Sequence, residues 1–241
     1  MFPILRKKQG GFALMSRFTC AACAALALAL SGCQREDQNA QTVYHIPMQA
    51  RPQVALVPVI DTSKSAAYAW NLSDEFTSSI YSFLEQGPLS LDPMVQVRET
   101  VRMVKNASNP FGANFSWLKN AFGKEEFVVF LELVHHEEVL KRTDVQEIDP
   151  KTCPADLNMA MRVRVFDLRG EEPVVVLQEF VNGSHFIPRQ FTQVNFHQVP
   201  WGEEGFNFSP LGLAHLDFAR EISSRIEDYI LLAVKRSYSF L

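Results

Sequence analysis

Val54-Ala55-Leu56-Val57-Pro58-Val59-Ile60 decides the fold of this 241-residue chain. A run that is apolar at every position, and rich in β-branched residues, reads as a strand covered on both faces. A strand of that kind belongs to a sheet sandwiched by helices, so the class is α/β (α+β), with a mixed β-sheet and flanking helices. Asp61-Thr62-Ser63 then supplies turn and helix-start chemistry.

Working outward, a helix over about 68–86 carries Leu72, Phe76, Ile80, Phe83 and Leu84 as one apolar stripe, and Gly87-Pro88 stops it. Met94 to Thr100 reads as a short strand with Val95 and Val97 on one face. A second helix around Ala113 to Phe122 carries Phe115, Leu118 and Phe122. Phe127 to Val134 is the strongest strand signal in the chain. Leu157, Met159, Met161, Val163 and Val165 alternate with Asn158, Ala160, Arg162 and Arg164, the pattern of a half-exposed strand. Asp167-Leu168-Arg169-Gly170 turns it, and Val174 to Val181 returns as a hairpin partner. Val181-Asn182-Gly183-Ser184 reads as the turn that ends it. A last helix, about Leu213 to Lys235, puts Ala219, Ile222, Ile226, Tyr229, Ile230 and Ala233 on one face. The predicted order is β-α-β-α-β-β-β-α within one domain, 53–241.

The N-terminal end is of a different kind. Arg6, Lys7, Lys8 and Arg17 precede a run, Phe18 to Leu30, that is apolar or small apart from Thr19. At about 1.5 Å per residue it spans roughly 20 Å, short of the ~30 Å hydrocarbon core, which favours a signal segment over a membrane-spanning helix. Met15 offers a second possible start. The run ends in Ala29-Leu30-Ser31-Gly32-Cys33, followed by the abruptly polar Gln34-Arg35-Glu36-Asp37-Gln38. This resembles a bacterial lipoprotein signal with its lipobox. The resemblance implies cleavage before Cys33, acylation of Cys33 and anchorage to a lipid bilayer. It divides the chain into a signal peptide (1–32), an acylated tether (33–52) and the α/β domain. Gln34, where aspartate favours inner-membrane retention in enterobacterial lipoproteins, leans towards the outer membrane, facing the periplasm.

The domain itself is similar to a family of envelope proteins that includes the amino-terminal domain of TolB, the curli secretion lipoprotein CsgG and LpoB, a lipoprotein activator of a penicillin-binding protein. Leu56-Val57-Pro58-Val59 matches the opening motif of that family, and Phe127 to Val134 its central strand. Met161 to Glu171 matches its hairpin. Glu132 stands near the place of a family glycine, and 182–210 has no counterpart in the pattern. The resemblance implies the TolB/CsgG-like fold and a role in the cell envelope.

Charge and chemistry narrow the function. The signal segment holds four basic and no acidic residues, so the part from Cys33 onward has 19 Lys+Arg against 27 Asp+Glu, a net −8. An acidic chain without a basic cluster argues against nucleic acid. Of four cysteines, Cys20 and Cys23 leave with the signal and Cys33 is the lipid site, so Cys153 remains as a loop thiol or half-buried apolar residue. His135-His136-Glu137-Glu138 has metal-ligand residue types, but adjacent histidines on a strand point to opposite faces, and a solvated strand end is expected. Ser184 and His185 lie outside any nucleophile elbow, and no phosphate loop or dinucleotide fingerprint is present. No cofactor, metal or enzymatic activity is therefore expected.

Phe186, Phe191, Phe196, Trp201, Phe206 and Phe208 fall within 23 residues. They either complete the core against the sheet and last helix or form a partner-facing surface. Three function classes stay open: a non-enzymatic interaction module docking an unidentified envelope protein, a CsgG-like secretion or pore subunit, and a hydrolase. A pore needs alternating strands of about 9–11 residues. The stretch 186–198 contains Pro188 and alternates poorly, which favours the interaction module.

Overall fold

Pro58 divides the opening apolar run in two. In the computed structural model, which describes residues 50–65, 68–104, 109–141, 153–188 and 200–238, β1 is Gln53–Leu56 and β2 is Ile60–Asp61. Proline has no N–H to give a ladder, so pairing lapses around it. Both pieces run parallel to the same neighbour, β4 (Phe127–Leu140). Leu56 stands opposite Val129 and Ile60 opposite Glu132, four residues against three, so the Val57–Val59 stretch bulges. Val54 and Leu56 are buried in one apolar cluster and Ala55 and Val57 in the other, as a strand covered on both faces requires.

Helix α1 (Leu72–Glu85) is shorter than the predicted 68–86 because Asn71 caps it, its side chain accepting from Ser73 N at 2.8 Å. Leu72, Phe76, Ile80 and Leu84 are buried as the stripe predicts. β3 (Ser90–Leu91) is a two-residue edge strand beside β1. The strand expected at 94–100 is instead helix α2 (Met94–Val104). Pro93 starts it, its carbonyl accepting from Gln96 and Val97. Val97 and Val101, four apart, face the core, and Val95 is exposed. Only the short α3 (Leu118–Ala121) forms in the predicted 113–122 helix.

The hairpin is β5 (Ala155–Asp167) and β6 (Val174–Ile187), paired antiparallel along its length. β6 runs through the expected turn at 181–184. Gly183 is needed there because a Cβ would stand 2.9 Å from the Phe218 ring. After a single-turn α4 (Glu204–Asn207), the long α5 (Pro210–Tyr238) closes the chain. Ala219, Ile222, Ile226 and Ile230 are buried on it, whereas Tyr229 is exposed. The strand order is β3-β1-β4-β5-β6, with β2 on β4, a mixed six-stranded sheet with flanking helices. Helices α1 and α5 cover one face, and α2, α3 and the 109–117 loop cover part of the other. Arg164 pins that loop, donating to the carbonyls of Pro110 and Gly112 at 2.9 and 2.8 Å. Residues 50–241 make one compact unit, and no described helix is long and apolar enough to cross a membrane.

Candidate functional site

One residue of β4 is out of step with its partner strand. Leu133 opposes Met161, but His135 opposes Ala160, so Val134 bulges out of the ladder. Before the bulge, odd residues of β4 face α1 and α5; after it, even residues do. His136 therefore turns inward and is 5% exposed, while His135 stays in solvent. The two histidines do point to opposite faces, but the solvated end expected for the pair holds for His135 alone.

His136 meets two residues distant in sequence. Its Nε2 lies 2.9 Å from Nε2 of His215, on the second turn of α5. Nδ1 of His215 lies 2.7 Å from Oε1 of Glu75, in the first turn of α1. Trp70 Nε1 donates to the other Glu75 oxygen at 2.7 Å, and Ser65 Oγ lies 3.4 Å from His136 Nδ1. Glu75 and His215 are each 2% exposed. Rings close the chain in: Tyr68 stands edge-on to His136 at 5.2 Å between centroids, and Phe76 lies 5.1 Å from His215. Phe206 packs on Trp70 at 5.2 Å. Tyr68 OH donates to Glu138 at 2.7 Å.

The contact between the two Nε2 atoms needs one proton between them. Two placements satisfy the chain: His136 donates from Nε2 to His215 and accepts from Ser65 at Nδ1, or His215 donates from Nε2 and His136 donates from Nδ1 to the Ser65 oxygen. His136 is neutral in the first and in the second. Burial, then the neighbouring His215, drives its pKa down from 6.5 to about 3. Lys64, with φ 59°, is the one non-glycine residue of positive φ among the described residues, and it turns the chain into Ser65. Asp61 secures that turn from Ser63 N and Oγ, at 2.9 and 2.7 Å. The arrangement ties the β2–α1 loop, α1, β4 and α5 at one point, with its polar atoms spent on one another.

The six predicted aromatic contacts separate. Phe191 and Phe196 lie outside the described residues, as does Cys33. Phe206 is 1% exposed and wedged under Trp70, so it is core and offers no surface. Trp201 is half-buried against the same core. Phe208 and Phe186 are exposed, at 73% and 54%. Phe180, which sequence reasoning did not single out, is also exposed, on the strand that carries Phe186. Ser184 is exposed and its neighbour His185 points to the other face of β6, so the two do not meet. Cys153 is buried, its thiol against the Lys141 carbonyl at 3.0 Å.

Two further places are polar or hollow. A cleft of about 560 Å³ between α2 and α3 is lined by Asp92, Glu99, Lys119 and Glu125, among others. Burial, then the neighbouring Glu125, pushes Asp92 up to about 6. An apolar pocket of about 240 Å³ lies between Pro58, Val101, Trp117 and Phe130. Among the described residues no cluster of three or more His, Cys, Asp or Glu side chains is placed to hold a metal ion.

Comparison with solved structures finds the same fold in the hypothetical protein CT253 from Chlamydia trachomatis. It is 25% identical with a TM-score of 0.59, over 75% of this chain and 98% of that one. Looser overlays include lipoprotein GNA1162 from Neisseria meningitidis, 14% identical with a TM-score of 0.40 over 72% of this chain and 99% of that one. The LpoB C-terminal domain from Salmonella enterica is 10% identical with a TM-score of 0.30, over 56% of this chain and 82% of that one. The neighbours thus include bacterial lipoproteins, and overlays this loose carry no argument about activity. No curated protein matches the sequence. Residues 40–234 match the model of a family of unknown function, DUF7499, and the chain belongs to that family.

Proposed function

We propose that this protein is a membrane-tethered lipoprotein of the cell envelope, anchored through Cys33 and acting as a non-enzymatic interaction module. The observation that carries the reading is Phe208, which stands 73% exposed in the turn between α4 and α5. Its near neighbour Phe206 is wholly buried, so this segment holds one aromatic in the core and presents another to solvent. An exposed phenylalanine at a rigid turn between helices is the kind of aromatic anchor that interface cores use. The lipobox resemblance supports the tether, and the resemblance to TolB, CsgG and LpoB supports a docking role in envelope assembly or maintenance. Gln34 supports the outer membrane, with the domain facing the periplasm.

Two measurements test this. Fatty-acid labelling of the chain should disappear in Cys33→Ser. A photo-crosslinking residue at position 208, activated in the native envelope, should give discrete protein adducts that the same residue at Gly170, in the exposed hairpin turn, does not. Labelling that survives Cys33→Ser removes the anchor. Adducts at 208 no different from those at 170 remove the docking surface.

A further inference from the structure

β6 is the outermost strand on its side of the sheet: β5 pairs with one edge, and no described strand pairs with the other. Exposed edges recruit further strands, and proteins usually blunt them with lysine, proline, charge or a bulge. The stretch Leu177 to Ile187 has none of these blunting features apart from one charged residue, Glu179. Arg225 of α5 already neutralises that charge, at 3.2 Å. The bulge in the hairpin comes earlier, at Val176, and leaves 177–187 regular.

The exposed side chains of this stretch are arranged about its middle. Phe180 and Phe186 both project from the sheet face that α5 does not cover, 59% and 54% exposed, and Gly183 lies midway between them. Two copies of the strand laid antiparallel about a two-fold axis at Gly183 would set Phe180 of each against Phe186 of the other. Asn182 would meet Ser184 in the same way. We propose that the free edge of β6 is where a second copy of this chain joins, extending the sheet across a two-fold at Gly183. An isologous contact needs a self-complementary surface. This edge meets that need three times over: it is uncharged on balance, its aromatics are placed symmetrically, and its free backbone groups find partners on an identical strand. The inference deepens the interaction reading by naming one partner, and rests on it only in taking the domain to act through contact with other chains.

The test uses the full chain in a bacterial envelope. Differently tagged chains carrying Asn182→Cys and Ser184→Cys are produced together and oxidised. A disulfide-linked species joining both tags is expected, at least tenfold above a Gly170→Cys control. Phe180→Glu should reduce it at least fivefold. In the monomer that carboxylate faces Arg162, its cross-strand partner, so the fold is retained. Adding Phe186→Lys to the Phe180→Glu chain should restore linkage, because opposite charges then meet across the axis. Linkage no higher than the control, linkage indifferent to Phe180→Glu, or capture of a different protein by both cysteines would overturn the proposal. None of these outcomes touches the adducts expected at position 208.

Discussion

Acid should loosen this fold through His136. Its pKa falls from 6.5 in the unfolded chain to about 3 in the folded one, because the imidazole is buried and faces His215. Between those values the unfolded chain binds the proton and the folded chain does not. Unfolding free energy therefore rises with pH across this window and is lost as pH drops through it. At about 1.4 kcal/mol per pKa unit, the whole effect is roughly 5 kcal/mol, with about 3 kcal/mol already lost at pH 4 relative to pH 7.5. That is a large share of the 5–15 kcal/mol by which domains are usually stable. Protonation also takes away the ring lone pair with which His136 accepts from Ser65 in one placement and from His215 in the other. Urea unfolding from pH 7.5 to 4 measures it. Carboxylates titrate in the same range, and Asp92, pushed up to about 6, acts in the opposite sense by favouring the folded state as pH falls from 6 towards 3.8. The comparison is therefore with His136→Gln, which keeps a hydrogen-bonding side chain but cannot titrate. The variant should be less stable at pH 7.5 and should lose about 3 kcal/mol less than the parent on acidification to pH 4. Parallel pH profiles for parent and variant would refute the assignment of His136 as the acid-sensitive group.

Three other outcomes follow from packing. Phe206→Ala should cost about 3–5 kcal/mol in chemical unfolding, whereas Phe208→Ala should stay within about 0.5 kcal/mol of the parent, a contrast between buried and exposed positions two residues apart. Gly212→Ala should cost about 1–3 kcal/mol or more, because its Cβ would fall 2.1 Å from the Phe206 carbonyl oxygen; Gly183→Ala meets side-chain atoms alone, the Phe218 ring at 2.9 Å and His185 Nε2 at 3.1 Å, and should cost less. Deleting Val134 should leave a regular ladder in which Leu133, His135 and His136 keep their places opposite Met161, Ala160 and Met159, so proton NMR of the histidines should still show one buried, acid-shifted ring; its loss would show that the bulge does more than set the register.

The parts of the fold that repeat at a fixed period were legible in the sequence. Alternation through Leu157–Val165 marks the half-exposed β5, and Leu72, Phe76, Ile80 and Leu84 mark α1. Continuous apolarity at 54–57 marks a strand in the interior of the sheet, and β1 does lie between β3 and β4. Residues 94–100 misled because Val95 and Val97 alternate over too few positions to separate a period of 2 from one of 3.6. The deciding evidence is Pro93 before them and Val101 beyond. At 181–184, a sequence rich in turn formers stays extended because α5 packs against Gly183, a tertiary constraint with no local signature.

The buried chain of Glu75, His215 and His136 was hidden for a stronger reason. Its members are 140 and 79 residues apart, and each, taken alone, sits in an unremarkable setting. Glu75 looks like an acidic residue favourable to a helix N-terminus, and His215 like a polar residue in the first turns of a helix. His136 looks like half of an exposed pair. What brings them together is a single extra residue in β4, and a bulge leaves no mark on composition or hydropathy. The consequence is a domain whose most polar interior point joins the β2–α1 loop, both helices of one face and the central strand. That joint fixes the carboxyl end of the parallel strands from within. The exposed aromatics of β6 and of the α4–α5 turn lie outside that joint: Phe206 and Trp70 of the joint's wall are shut in the core, and Phe208, two residues on, is not. A rigid interior next to a turn that presents one ring is the geometry in which binding costs little ordering entropy. For that reason stability variants at His136 and contact variants at Phe208 should act independently, the first moving the pH profile of unfolding and leaving the adducts at 208 in place, the second doing the reverse.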